Sequence, residues 1–458
     1  MQDRKVIAIF DIGKTNKKVL LFDKTLSLVY REEKQFDTIR DEEDFECDDI
    51  EAIEYWIKET LRNLIQRDIF EIKAVNFSTH GASLAFIDQQ GKRLTPLYNY
   101  LKEIPLRIQN SLFEKYGGKE EFCRKTASPP LGLLLNSGVQ ILWLKRTKPK
   151  VFHNVRSILH YPQYLSYLLT GKFYSEPTSV GSHTFLWDFD NDSYHPWVQD
   201  ENITLPEPSE NSLTERIKFA GTNLFVGIGI HDSSASLLPY IYGSKERFLL
   251  VSTGTWCITM NPFNSDPLTA NELNNGCLAY LGTQRQPVKS SMLFMGHIHD
   301  VNNKRLIRHF GMNELQSRNV KFQEALIKEF LTNNGGKPVF FSSGIPEAYV
   351  DEDVLLSAFK NYNEVYHRLV FDLAKLSTAY IKRVISPRDG VKCIYISGGF
   401  SKNEIYVRSL ASFFPAKTVF TSEIDNSSAL GAALAIWDTM GEDYRDIDLK
   451  LTKWYPVA

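Results

Sequence analysis

Residues 6–22 read VIAIFDIGKTNKKVLLF, and this stretch decides the fold. The apolar run Val6 to Phe10 is typical of a buried strand, and Val19 to Phe22 repeats that pattern after a polar turn from Asp11 to Asn16. Because glycine and short polar side chains occupy the turn, the chain is predicted to reverse its direction there. The stretch therefore predicts two neighbouring strands joined by a tight turn.

The turn contains Gly13-Lys14-Thr15, which is part of the pattern of a phosphate-binding P-loop. A P-loop needs a further glycine five residues before Gly13, and Ala8 stands there. A P-loop must also open a helix, whereas Asn16 to Phe22 is predicted to be a strand. The sequence therefore excludes a P-loop at this position.

A turn of this composition at the end of a strand still suits an anion. Glycine lets the backbone come close to a ligand, and hydroxyl, amide and ammonium groups supply donors and charge. The candidate phosphate contacts are Gly13, Lys14, Thr15, Asn16 and Lys17. Asp11 can hold a metal ion through a water molecule. Taken alone, the segment is explained at least as well by an ordinary polar hairpin turn.

The second half of the chain opens as the first does. The apolar run Phe248 to Val251 is followed by the small polar turn Ser252-Thr253-Gly254-Thr255 and by the apolar stretch Trp256 to Met260. Three hydroxyl groups and a glycine supply donors without bulk, although the same residues are common in loops. Parallel placement at the heads of two halves favours a pair of phosphate-binding turns.

Strands and helices alternate along the first half. Ile50 to Arg67 has the apolar spacing of an amphipathic helix, and Ala74 to Ser78 returns to a strand that ends at His80. Residues 201–212 are predicted to form a surface loop, and Phe225 to Ile230 a buried strand. This alternation predicts an α/β fold with ligands at the ends of strands.

Glycines and small residues mark the end of the chain. Cys393 to Ile396 is predicted to be a strand, Ser397-Gly398-Gly399 a tight turn, and Asn403 to Phe414 a helix. Such a turn lets the backbone approach a flat ring or a phosphate, although paired glycines also end strands for steric reasons. Ser427 to Trp437 is a second helix, and its Ser428 to Ala433 segment is interpreted as a small face for close packing.

Asp232 is the candidate catalytic carboxylate. It follows the apolar run Phe225 to Ile230 and precedes a predicted helix, so a strand delivers it to the edge of a sheet. A carboxylate in that place can cap the helix, and it can also accept a proton from an alcohol that attacks phosphorus. Both roles are compatible.

The composition limits the kind of partner. The 458 residues carry 53 Lys and Arg against 55 Asp and Glu, a net charge of -2, so no general basic field exists for nucleic acid or an anionic membrane. The five cysteines form no disulfide or metal-binding spacing, and we interpret them as small buried apolar residues in a reducing compartment. With no predicted targeting or membrane-spanning segment, we expect a cytoplasmic protein that binds a small molecule.

Taken in order, these motifs resemble the FGGY family of carbohydrate kinases, members of the actin and hexokinase-like superfamily. Asp11 to Asn16 looks like the family's first phosphate motif, Ser252 to Trp256 like its second, and Ser397 to Gly399 with Asn403 like its adenosine motif. Leu169-Thr170-Gly171-Lys172 is similar to its LTG signature. Within the family, His231 to Ala235 looks closest to the L-rhamnulose and L-fuculose kinase branch.

The resemblance implies an α/β fold with two ribonuclease H-like domains and an interdomain cleft. Residues 1–240 would form the N-terminal domain, with the sugar site and the first phosphate turn. Residues 241–440 would form the nucleotide-binding domain, and 441–458 a C-terminal tail.

The resemblance also implies an ATP-dependent kinase with Asp232 as proton acceptor. Mg²⁺ would bridge the phosphates, with Asp11 as its indirect holder through water. The implied nucleotide contacts are Gly13, Lys14, Thr15, Asn16, Lys17, Thr253, Gly254, Thr255, Gly398, Gly399 and Asn403. The implied sugar contacts are His80, Gly81, Ala82, His231 and Ser233.

One departure from the family leaves the sugar open. Many relatives carry an aromatic residue followed by Asp and Arg where this chain has Tyr98 to Glu103, so those sugar contacts do not carry over. Candidate substrates are L-fuculose, L-rhamnulose and D-xylulose. Two alternatives stay open: a nucleotide-switched regulatory or binding protein on the same scaffold, and a polyol kinase of the glycerol type. A homodimer is also left open.

Overall fold

The structure is a computed structural model that describes residues 4–313, 320–333, 336–441 and 447–457. Its strands are Lys5–Ile12 (β1), Lys17–Asp23 (β2), Leu28–Lys34 (β3), Thr38–Arg40 (β4), Glu46–Asp48 (β5), Glu71–Thr79 (β6), Leu84–Ile87 (β7), Ser157–His160 (β8), Trp187–Asp188 (β9), Ser193–Tyr194 (β10), Thr214–Phe219 (β11), Thr222–Gly227 (β12), Ile230–His231 (β13), Phe248–Thr253 (β14), Cys257–Asn261 (β15), Cys277–Leu281 (β16), Pro287–Leu293 (β17), Cys393–Gly398 (β18), Thr418–Ser422 (β19) and Leu451–Trp454 (β20).

The α-helices are Ile50–Gln66 (α1), Leu106–Lys115 (α2), Lys119–Lys125 (α3), Ser137–Thr147 (α4), Pro149–Phe152 (α5), Tyr161–Thr170 (α6), Pro177–Val180 (α7), Trp197–Asp200 (α8), Asp232–Gly243 (α9), Ala270–Asn274 (α10), Met295–Phe310 (α11), Glu324–Asn333 (α12), Tyr362–Arg383 (α13), Glu404–Phe413 (α14) and Ser427–Ala435 (α15). Short 3₁₀ helices are Leu356–Ala358, Gly399–Lys402 and Trp437–Met440.

The first sheet is built around β1. Its strand order is β11-β12-β6-β1-β2-β3, with β1 antiparallel to β2 and parallel to β6. Strand β1 extends to Ile12, which pairs with Lys17 at the start of β2, so the turn between them contains residues 13–16. The predicted strand, turn and strand are confirmed, with Asp11 inside β1 rather than in the turn.

The second sheet repeats this arrangement around β14. It contains the order β17-β15-β14-β18-β19-β20, with β14 antiparallel to β15 and parallel to β18. Thr253, the last residue of β14, pairs with Cys257 at the start of β15, as Ile12 pairs with Lys17. The prediction that both halves open alike is therefore confirmed in the strand pairing.

Helices pack on the first sheet by two different means. The apolar face of α1, with Ile53, Ile57 and Leu61 fully buried, joins the apolar core with β1 and β6. Helix α15 instead approaches α9 through small residues. A Cβ atom on Gly431 would lie 1.8 Å from the Ala235 carbonyl oxygen, so only glycine allows this approach. The interpretation of residues 428–433 as a small packing face is confirmed at this position.

The predicted single strand from Phe225 to Ile230 is divided. Strand β12 ends at Gly227 and the short β13 begins at Ile230, because Gly229 adopts a φ of +84°. The buried Asn76 side chain accepts a hydrogen bond from the Gly229 backbone N–H (3.0 Å) and donates to the Ala432 carbonyl (2.8 Å). This long-range contact fixes the bend that leads the chain to Asp232.

The chain divides into two compact units that are not continuous in sequence. The first contains Met1–Gly243, Pro267–Val288 and Asp425–Ile447, and the second contains Ser244–Asp266, Lys289–Ile424 and Asp448–Ala458. The division differs from the continuous ranges 1–240, 241–440 and 441–458. One reason is that α15 packs on α9 and β1 in the first unit. The predicted tail also contains β20, which pairs with β19.

Two further features of the sequence have structural counterparts. All five cysteines are buried and form no disulfide, as interpreted from the sequence: Cys47, Cys123, Cys257, Cys277 and Cys393. Over the described ranges, every helix is too short or too polar to cross a bilayer.

Candidate functional site

The turn between β1 and β2 is a closed hairpin with an exposed tip. The Gly13 N–H donates to the Asn16 carbonyl (3.1 Å), and the Asn16 side-chain oxygen accepts a hydrogen bond from Gln35 (3.2 Å). Thr15 is exposed at the tip, and Lys14 is partly exposed. The Thr15 hydroxyl and the Lys14 ammonium are therefore accessible to an anion at this hairpin.

Lys17 is held in a different way from its neighbours. Its side chain is 3% exposed, and its Nζ lies 3.0 Å from the Asp48 carboxylate while donating to the Lys14 carbonyl (2.9 Å). Lys14 approaches the other Asp48 oxygen at 3.6 Å. The Lys17 ammonium is thus committed to Asp48 and to the hairpin backbone, so of the two predicted lysines Lys14 is the better placed to meet a phosphate.

Asp11 lies near the end of β1, and its carboxylate has Ser428 and Asp232 as neighbours. Its Oδ2 accepts a hydrogen bond from the Ser428 hydroxyl (3.1 Å) on α15. Burial raises the pKa of the Asp11 carboxyl from 3.8 to about 6, and the nearby Asp232 carboxylate adds to the increase. A cation beside Asp11 would relieve this repulsion, so the residue suits a divalent ion held through water.

Asp232 is the first residue of α9, and its side chain is 34% exposed. Oδ1 accepts a hydrogen bond from the Ser233 backbone N–H (2.6 Å) and lies 3.3 Å from His231 Nε2. Oδ2 has no hydrogen-bond partner among the described residues. The first turn of the helix thus engages one carboxylate oxygen, and the other is left for a ligand.

The segment His80 to Ala82 adjoins Asp232. The His80 ring packs against the Tyr100 and Tyr161 rings at 5.1 and 5.4 Å, and neither ring nitrogen has a partner in the described part of the chain. Burial lowers the His80 pKa to about 4, so the ring is neutral near pH 7. A Cβ atom on Gly81 would lie 2.9 Å from the His231 ring, and the Ala82 carbonyl accepts from Gln140 (2.6 Å).

The second hairpin, between β14 and β15, also has an exposed tip. The Gly254 N–H donates to the Trp256 carbonyl (3.0 Å), and residues 254–256 are exposed. Helix α11 supports the hairpin, because the Gly296 N–H donates to the Thr255 carbonyl (3.1 Å). A Cβ atom on Gly296 would lie 2.3 Å from the Gly254 oxygen. The exposed Trp256 ring stacks on Phe294 (4.4 Å).

The two glycines after β18 have different structural requirements. Gly398 has a φ of +84°, and a Cβ atom there would lie 1.9 Å from the Thr253 carbonyl oxygen. The Thr253 hydroxyl donates to the Ser397 carbonyl (2.5 Å) and accepts from the Phe400 N–H (3.0 Å), so it fixes this turn rather than facing a ligand. At Gly399 the nearest atom would be 4.0 Å away. Steric requirements of the strand end therefore explain the glycine at position 398, but they do not explain the glycine at position 399.

Gly399 and Asn403 line a cavity of about 630 Å³ in the second unit, together with Phe322 and Tyr366. The Asn403 side-chain oxygen caps α14 by accepting from the Ile405 and Tyr406 N–H groups, and its amide donates to the Tyr366 hydroxyl (3.2 Å). The cavity is large enough for a nucleoside, with rings on one part of its wall and backbone at Gly399 on another.

The side chains of the segment Tyr98 to Glu103 have two different roles. Lys102 pairs with the buried Asp41 (2.6 Å) and with Glu43 (2.9 Å), and Tyr98 bonds to Glu42, so both residues fasten the loop after β4. Tyr100 instead lies against His80 and 5.6 Å from the Lys14 ammonium. Only Tyr100 of this segment reaches the residues around Asp232.

The predicted site residues fall into two groups. Asp11, the first hairpin, His80 to Ala82 and His231 to Ser233 lie in the first unit, whereas Thr253 to Thr255, Gly398, Gly399 and Asn403 lie in the second. Sequence reasoning missed three contributors: Ser428, Tyr100 and Gly296. Each was visible only as a weak signal, namely a serine at a helix start, an aromatic residue in an atypical segment, and a glycine near a helix start.

Comparison with known proteins gives a family for the N-terminal part of the chain and similar folds for the whole. Residues 6–201 match the model of the N-terminal domain of the FGGY family of carbohydrate kinases. The fold resembles a carbohydrate kinase from Novosphingobium aromaticivorans (TM-score 0.83, 20% identity, covering 100% of this chain and 95% of that one). It also resembles the xylulose kinases of Rhodospirillum rubrum (0.80, 15%, 98% and 94%) and Lactobacillus acidophilus (0.77, 16%, 99% and 94%). Residues 6–201 thus match the N-terminal domain of FGGY carbohydrate kinases, and the whole chain has a fold similar to that of solved carbohydrate kinases.

Proposed function

We propose that the protein transfers the γ-phosphoryl group of ATP to a hydroxyl group of a neutral ketose, with Asp232 as general base. The observation that carries the proposal is the position of Asp232, with one carboxylate oxygen unpartnered beside Asp11 and His231. Candidate acceptors are L-fuculose, L-rhamnulose and D-xylulose. The similar folds of two xylulose kinases support a ketose, and the motif at His231 to Ala235 supports the first two sugars.

Asp232 has the geometry that a general base needs. Ser233 N–H and the neighbouring His231 ring orient Oδ1, so Oδ2 can accept the proton of the attacking hydroxyl. In phosphoryl transfer, positioning and charge stabilisation contribute more to catalysis than covalent chemistry does. The role of this chain is therefore to hold the hydroxyl and to remove its proton as it attacks.

Each unit by itself offers groups that suit parts of ATP, namely a hairpin tip for phosphate in both units and the cavity at Gly399 for adenosine in the second. Backbone groups at Gly13 and Gly254 allow close approach of phosphate oxygens, and Lys14 supplies positive charge. We propose that the sugar binds to the first unit and adenosine to the second. Burial and the Asp232 charge raise the Asp11 pKa, and a Mg²⁺ ion held through water would favour the ionised carboxylate. When bound, Mg²⁺ neutralises charge on the phosphates.

Asp232→Asn tests the general base. Asparagine keeps the side-chain oxygen that accepts from Ser233 N–H but cannot take a proton, so we expect kcat to fall about 10²- to 10⁴-fold with nucleotide affinity retained. The measurements are coupled ADP release and nucleotide binding by calorimetry. Asp88→Asn is the matched control, since Asp88 also accepts backbone N–H bonds, from Gln90 and Lys92. Turnover by Asp232→Asn near the wild-type rate would exclude this role.

The same assay separates the alternatives. A sugar kinase releases ADP at a high rate only when a ketose is present, whereas a nucleotide-switched regulator does not depend on the sugar. A polyol kinase of the glycerol type would prefer glycerol to every ketose in the panel. Screening L-fuculose, L-rhamnulose, D-xylulose and glycerol side by side identifies the acceptor.

A further inference from the structure

His183 has an unusual backbone for a residue with a side chain. It lies between α7 and β9 with a φ of +43°, in the left-handed region where non-glycine residues are uncommon. The Asn136 side chain donates to the His183 carbonyl (2.8 Å), and the Gly138 N–H donates to the next carbonyl, that of Thr184 (2.7 Å). These bonds hold a strained conformation, and such conformations concentrate at ligand sites.

The His183 ring lies beside the His231 ring, which neighbours Asp232. The ring lies edge-on to the His231 ring, with centroids 6.4 Å apart and an interplanar angle of 83°. His231 in turn lies 3.3 Å from the Asp232 carboxylate. The His183 Nδ1 atom is shielded from solvent and has no hydrogen-bond partner among the described residues. A polar atom in that state calls for a partner that the protein itself does not supply.

Tyr280 supplies a second polar group of the same kind. It belongs to β16, whose next residue, Leu281, packs against Gly181: a Cβ atom on Gly181 would lie 2.4 Å from Leu281 Cγ. The Leu281 carbonyl also accepts from Ser234 on α9 (3.4 Å). Tyr280 is 3% exposed, and its hydroxyl has no partner in the described ranges.

Both groups are uncharged under working conditions. Burial lowers the pKa of His183 to about 4, and the neighbouring His231 ring adds to the decrease, so the His183 ring is neutral at pH 7. Burial raises the pKa of Tyr280 far above its usual value, and the Asp232 charge adds to that increase. A neutral imidazole both donates and accepts, as a phenol does. These are suitable partners for a sugar hydroxyl and poor partners for an anion.

We propose that His183 is a specificity-determining residue that hydrogen-bonds a non-reacting hydroxyl group of the acceptor sugar, and that Tyr280 is a second candidate contact of that sugar. The inference rests on the proposed kinase function and deepens it, because it assigns two further residues to the sugar site. A site that pairs buried polar groups with a substrate hydroxyl discriminates strongly against an analogue that lacks the hydroxyl. The two residues would therefore select among ketoses that differ at one hydroxyl position.

Two variants that tolerate the left-handed backbone test the proposal. His183→Gly removes the ring, and His183→Asn replaces it with an amide that also donates and accepts. We expect His183→Gly to raise KM for the best ketose about ten-fold, with KM for ATP unchanged, and His183→Asn to recover part of the loss. Tyr280→Phe, which keeps the ring and removes the hydroxyl, should raise the same KM.

A series of deoxy-ketoses distinguishes binding from packing. Wild-type enzyme should discriminate against one deoxy analogue, and His183→Gly should lose that discrimination while both proteins unfold at similar temperatures. Equal sugar KM and equal discrimination in wild type and both histidine variants would overturn the inference and leave the kinase function standing. Absence of sugar-dependent ADP release in wild type, with every ketose, would overturn the proposed function and the inference together.

Discussion

Asp11 is a half-buried carboxylate whose ionisation opposes folding. Its neighbours are the Asp232 carboxylate and the Ser428 hydroxyl, and burial dominates its environment. Because the folded-state pKa of about 6 exceeds the ordinary 3.8, the folded protein binds this proton more tightly than the unfolded chain does. The cost of ionisation is absent below pH 3.8, grows as the pH rises, and is complete above pH 6.

Asp11→Asn should consequently stabilise the protein and impair it. Asparagine can still accept from Ser428, so we expect a gain of up to about 3 kcal/mol at pH 8 that disappears as the pH falls toward 4. Activity should fall, because the carboxylate that suits Mg²⁺ is lost. Thermal unfolding of both proteins at several pH values measures the difference. A constant gap across that pH range would contradict the ionisation cost.

Among the elements, the turn after β18 separates a packing glycine from a ligand glycine. Gly398→Ala forces a Cβ atom into the Thr253 carbonyl and strains a positive φ, so we expect a loss of about 2 kcal/mol or more in stability. Gly399→Ala has room for its methyl group and should leave the unfolding temperature unchanged. Because that methyl group faces the cavity with Asn403, it should weaken nucleotide binding. Equal unfolding temperatures for the two variants would contradict this division.

The order of strands and turns was predictable from the sequence, because it depends on local patterns. Val6 to Phe10 and Phe248 to Val251 are short apolar runs before small polar turns, and both became central strands of a sheet. The bend at Gly229 was not predictable, since it is held by Asn76, which lies far away in the sequence. The same reason hid the contact of Gly296 with the second hairpin.

Residue roles were predictable only where a motif names them. The sequence motifs predicted Asp232 and the first hairpin as site residues. They did not indicate that Lys17 would form an ion pair with Asp48. Nor did it single out His183, because a positive φ for histidine has no local signature. Contacts between distant segments determine which side chains remain available to a ligand.

At the scale of the whole molecule, we expect the cysteine thiols of the native protein to be unreactive, because all five are buried. Burial raises the pKa of Cys47 and Cys257 to about 11 and that of Cys123 to about 12. We expect almost no reaction with a thiol reagent such as DTNB in the native state, and five equivalents in denaturant. Titration with and without guanidinium measures this. A thiol that reacts rapidly in the native protein would show that one of these sites opens readily.

The exposed ring of Trp256 gives the protein a built-in optical probe. Of its seven tryptophans, Trp256 is the most exposed at 46%, Trp454 is partly buried, and Trp56, Trp143, Trp187, Trp197 and Trp437 are at most 5% exposed. Collisional quenching by iodide or acrylamide should therefore act mainly on this indole, which is covalently part of the second hairpin. A phosphate group that shields the hairpin should reduce the quenching. Occupancy can then be followed by light emission even in variants that no longer turn over.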